Sequence, residues 1–112
     1  MNSNIRQWLL DALKAARLLL EEVSPTTPDE MRVNVWFRGA ANYQLILIGE
    51  ALNRIRREDP ELAEQIPDVH EWISLRHIVA HQYDKVDVEL VWDTITADTP
   101  TLIDSLFTLL KE

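Results

Sequence analysis

Ile5, Leu9, Ala12, Ala16, Leu19 and Val23 recur at alternating spacings of four and three, the stripe that an amphipathic helix buries in a bundle. The pattern predicts a first helix from about Ser3 to Val23, ended by Ser24-Pro25-Thr26-Thr27-Pro28. Thr27, Pro28 and Glu30 then read as an N-cap, a proline at the first helical position and a capping-box glutamate. A second helix starts there and is expected to run to about Glu58. Val33, Phe37, Ala40, Leu47 and Ala51 form one of its faces, and Trp36, Tyr43, Ile46 and Glu50 another. A helix apolar on more than one side belongs at the centre of the bundle. Asp59-Pro60 repeats the cap-and-proline signal for a short helix ending near Gln65, and Pro67-Asp68 restarts the chain. The helix that follows has Trp72, Ile73 and Val79 as its buried set. Asp84-Lys85-Val86-Asp87 reads as a loop, with Asp87 capping a helix that puts Val88, Val91, Trp92 and Ile95 on one face. Thr99-Pro100 either kinks that helix or starts a new one, and Leu102, Ile103, Leu106 and Leu110 continue its stripe. The expected fold is all-α, an up-and-down helical bundle of four main helices plus one short helix, forming one domain over residues 1–112.

Composition narrows what such a bundle can do. With 46% hydrophobic residues the chain can fill one core, and only two glycines argue against a sheet protein rich in tight turns. The absence of cysteine rules out a disulfide framework and a thiolate metal site. Met1-Asn2-Ser3-Asn4 lacks the basic and apolar segments of a secretory leader, and no apolar run approaches the roughly 20 residues that span a bilayer. A cytoplasmic protein without membrane partners is expected. The net charge of −8 speaks against a general nucleic-acid coat, since affinity for a phosphate backbone comes from Lys and Arg releasing counterions. A local basic site remains open. Arg54, Arg56 and Arg57 are candidates, although cations there also suit the C-terminal end of a helix.

The chemistry is concentrated in Arg76-His77-Ile78-Val79-Ala80-His81-Gln82-Tyr83, with His70 just upstream. Arginine is a permanent cation whose planar fork fits phosphate, and histidine is the side chain suited to moving a proton near neutral pH. Together they suggest phosphodiester chemistry. On one helix, positions 76 and 81 point about 140° apart and cannot form a compact pair. Either the helix ends near Ala80 or a two-fold axis supplies the missing partner. Tyr83, seven residues after Arg76, returns to nearly the same face if the helix extends so far. His77, His81 and Asp84 would also share a face on a continuous helix and could ligate a divalent ion. That set lacks the glutamate of the His-Glu-x-x-His signature, and Asp84 reads as loop, so neither a metal nor another cofactor is expected. Four tryptophans, Trp8, Trp36, Trp72 and Trp92, exceed what one small core usually holds, and interfaces favour this residue.

At these residues the chain resembles the HepT-like proteins of the HEPN superfamily, the toxin half of two-gene modules whose other half is a minimal nucleotidyltransferase. The landmarks are Leu45-Ile46-Leu47-Ile48-Gly49-Glu50-Ala51, Trp72, Arg76-x-x-x-x-His81-x-Tyr83, Val91-Trp92 and Asp98-Thr99-Pro100-Thr101-Leu102. They cover nearly the whole chain. His77 is a departure, because such proteins more often carry Asn or Asp directly after the arginine. The resemblance implies a metal-independent endoribonuclease that acts as a homodimer, with Arg76 and His81 of both protomers facing a shared cleft. It further implies that Glu50 faces this cleft and orients Arg76, that His77 supports substrate binding, and that Tyr83 accepts AMP from the partner antitoxin. His81 would then be the general base and Arg76 the phosphate clamp. A second function fits the −8 charge: a non-catalytic dimeric helical partner of a nucleotidyltransferase.

Overall fold

The structure is a computed structural model that describes residues 1–81 and 85–112. Among the described residues it is helical without a strand: α1 (Ser3–Val23), α2 (Pro28–Val33), α3 (Val35–Glu58), α4 (Pro60–Ala63), α5 (Val69–His81) and α6 (Val88–Lys111). The cap residues explain most boundaries. Asn2, Thr27, Asp59 and Asp87 each accept a hydrogen bond from a backbone N–H in the first turn of α1, α2, α4 and α6. No described helix is long and apolar enough to cross a membrane.

One expected helix is two. Asn34 stands in extended backbone with ψ 95°, closes α2 by donating its N–H to the Glu30 carbonyl, and opens α3 by accepting from the Phe37 N–H. Within α3 the buried face is only partly the expected one. Val33, Trp36, Ala40, Tyr43 and Leu47 are exposed, while Ala41, Leu45, Ile48, Leu52 and Ile55 enter the core. Pro100 starts no new helix, and α6 continues through it.

The expected stripe of α1 is buried in full, from Ile5 to Val23. Contacts between the chain ends fix the directions. Arg6 donates to the Leu110 carbonyl, and Trp92 Nε1 donates to Thr26 Oγ1, so α1 and α6 run antiparallel. Helix α3 packs between α1 and α5, while α6 packs on α1 and faces α5 across a groove lined by Trp72, Leu75, Ile78, Leu90 and Thr94. Among the described residues α5 packs chiefly on α3. Trp72 is buried, Trp8 and Trp92 pack partly buried against the core, and Trp36 is left outside it.

Candidate active site

The contact between α3 and α5 is made at its closest point by a residue without a side chain. A Cβ on Gly49 would stand 2.3 Å from Arg76 Cβ and 2.9 Å from its Cγ, both far inside van der Waals contact. The arginine stem therefore crosses α3 through a notch that only glycine leaves open. Mid-helix glycine costs about 1 kcal/mol relative to alanine, so its placement beside Glu50 is itself a sign of close approach.

Leaving the notch, the Arg76 guanidinium turns along α3, and Nη1 donates to Glu50 Oε1 at 2.8 Å. The arginine side chain is 24% exposed and the glutamate 45%. A pair this wet contributes no more than about 1 kcal/mol to stability, so its main effect is to fix where the guanidinium points. Arg76 Nε is buried and makes no hydrogen bond among the described residues. Beside Glu50 a groove of about 600 Å³ opens between α1 and α3, and Lys14 and Arg54 line it. Asp11 and Glu50 line it too, so its formal charges balance.

The histidines lie elsewhere around α5. The described helix runs to His81, one residue past Ala80, so Arg76 and His81 both lie on it. Arg76 and His81 are therefore about 140° apart around the axis and roughly 7.5 Å apart along it. Instead His81 comes together with His77: the rings lie 4.4 Å apart between centroids, tilted by 47°, and both residues are exposed. His70 is separate, with Nε2 2.7 Å from Glu64 Oε1. Thus one protomer brings Arg76, Gly49 and Glu50 into one group and His77 and His81 into another. Tyr83 and Asp84 lie outside the described residues. No group of three or more potential metal ligands gathers among the described residues. Of the arginine triplet, Arg56 and Arg57 occupy the last turn of α3, and Arg56 donates to Asn53 Oδ1, as cations at a helix end should.

A glycine notch, a glutamate-held arginine and a histidine five residues later coincide with a match to a family model, described as ribonuclease HepT-like, over residues 12–108. The chain belongs to the HepT-like ribonuclease family. Two relatives come from Methanocaldococcus jannaschii. One, named "Gamma-glutamylcyclotransferase and putative RNase", is 25% identical over the whole of this chain, which spans half of that protein's length. The other, named "Putative RNase", is 29% identical over 88% of this chain and 90% of its own. No solved structure matches the chain. Within the HepT-like frame, the motif residues divide between a buried-stem arginine on the α3 side and an exposed histidine pair. Glu50 and Gly49 are the residues that couple α3 to the motif helix.

Proposed function

We propose that this HepT-like chain is a metal-independent endoribonuclease and the toxin component of a type II/VII-like toxin–antitoxin module. The observation that carries the reading is the aimed guanidinium: Arg76, set by Gly49 and Glu50, stays partly exposed and so can meet a phosphate oxygen. His81 takes the proton of a ribose 2′-hydroxyl, and the freed 2′-oxygen attacks the adjacent phosphorus. Arg76 stabilises the charge that grows on the non-bridging oxygens, and a protonated His81 from a second copy protonates the departing 5′-oxygen. His77, beside the base, supports substrate binding. RNA incubated with the protein and EDTA should yield fragments ending in 2′,3′-cyclic phosphate or its hydrolysis product, read by end-group analysis. Activity lost to EDTA and restored by zinc would replace this mechanism with a metal-dependent one.

The 140° between Arg76 and His81 supports a homodimer, because one protomer cannot aim both groups at one phosphodiester. Helix α3 offers a surface for it. Trp36, Ala40, Tyr43 and Leu47 recur at spacings of four and three as an uncharged stripe, and Trp36 is 89% exposed. Two copies that each carry −8 repel unless they meet on an uncharged surface, and aromatic residues are the usual anchors of such contacts. The stripe leads directly to Glu50. Sedimentation analysis should find a dimer that Trp36→Glu converts to monomer with loss of cleavage. A strict monomer at tens of micromolar that still cleaves RNA would remove the shared cleft.

The antitoxin in this reading is a minimal nucleotidyltransferase that attaches AMP to Tyr83. The added phosphodiester charge would compete for Arg76, and the nucleotide's bulk would fill the cleft. Intact-mass measurement after co-expression with a neighbouring nucleotidyltransferase and ATP should show added AMP, absent in Tyr83→Phe. An inactive complex without modification would point to occlusion instead. The net charge favours the second reading, a non-catalytic dimeric partner of the nucleotidyltransferase, which predicts no cleavage of any RNA by the isolated chain.

A further inference from the structure

His77 and His81 are paired by the fold, and the ribonuclease reading uses the imidazole lone pair of only one of them. They stand four residues apart on an intact helix, both exposed, with ring centroids 4.4 Å apart. Two imidazoles bound to one tetrahedral ion at zinc–nitrogen distances of about 2.0–2.1 Å have centroids about 5 Å apart. The centroid spacing is thus within about 1 Å of that of a chelating pair, and the 47° tilt is not that of parallel stacked rings.

We propose that His77 and His81 form a two-point site for a nitrogen-preferring divalent ion of the zinc class, and that the ion inhibits the enzyme. Imidazole suits zinc, copper and nickel, whereas magnesium and calcium require oxygen ligands. Water completes the coordination, because the pair lies on the open face of α5. An ion held there occupies the lone pair with which His81 takes the 2′-hydroxyl proton. Its effect is thus opposite to that of a cofactor. The regulatory half of the proposal rests on the ribonuclease reading; the binding half does not.

The test is calorimetric titration of the untagged, metal-free protein with zinc, without RNA. One ion per protomer should bind, and His77→Ala or His81→Ala should weaken binding about tenfold or more. His70→Ala should leave it unchanged, because that ring lies two turns away beside Glu64. In proton spectra, zinc should shift the ring signals of two histidines and spare those of His70. Heat absent up to about 1 mM zinc, or equal affinity in the His77 and His81 variants, overturns the site. Cleavage by the wild type should fall in step with zinc occupancy and return with EDTA. Full-rate cleavage by the zinc-saturated protein overturns the inhibition, whereas zinc binding by a protein that cleaves no RNA would count against the ribonuclease reading alone.

Discussion

His81→Ala should slow RNA cleavage by about 10²–10⁴-fold, the usual contribution of a positioned general base. The substitution is clean, because His81 is the exposed last residue of α5 and its removal leaves no cavity. Arg76→Ala should cost a comparable factor, about 10²–10³-fold, through loss of the charge that meets the non-bridging oxygens. Arg76→Lys should not restore activity. A lysine ammonium is a point charge on a flexible stem and cannot hold Glu50 while presenting a fork to phosphate. Single-turnover rates on end-labelled RNA decide the matter, with circular dichroism to show that each variant folds. Rates within tenfold of wild type for His81→Ala would remove His81 as the base, whereas no cleavage by the wild type would favour the non-catalytic binding partner.

The second large effect is expected at Gly49. An ordinary mid-helix Gly→Ala exchange stabilises a protein by up to about 1 kcal/mol through helix propensity. Here the new methyl would meet Arg76 Cβ at 2.3 Å, and no rotamer moves a Cβ, so α3 and α5 must separate. Overpacking of this kind costs about 1–3 kcal/mol, which outweighs the propensity gain and lowers the melting temperature by several degrees. Cleavage should fall more than stability, since a displacement of about 1 Å at a positioning group can cost 10²-fold. Thermal denaturation and cleavage rates measured well below the melting point separate the two effects. A Gly49→Ala protein as stable and as active as wild type would contradict the helix contact described above.

Local signals carried most of the fold. Thr27-Pro28 and Asp59-Pro60 each marked a true helix start, although Thr99-Pro100 did not, and the α1 stripe is buried as its spacing predicts, because these signals depend on neighbours in sequence. Asn34 escaped that logic. A single asparagine between good helix formers is a weak signal, yet in the structure it caps two helices at once. Trp36, Tyr43 and Leu47 proved exposed for another reason: α3 is apolar on more than one side, and packing against α1 and α5 decides which side is buried. At the site, the spacing of Arg76 and His81 foretold that they would diverge, and the family resemblance pointed to Glu50 as the partner of Arg76. What the pattern of residues did not convey was why a glycine precedes that glutamate. The reason is an approach between helices 27 positions apart, a tertiary fact that leaves only an unexplained mid-helix glycine in the sequence.

That α5 packs chiefly on α3 and faces α6 across an open groove bears on motion. A helix held mainly by one neighbour opens at lower cost than one packed on several, so α5 is expected to open locally ahead of α1. Its amide hydrogens should exchange with solvent ahead of those in α1. The helix that bears the arginine and both paired histidines is then a part of the bundle whose conformational population a bound ligand could shift while α1 stays packed.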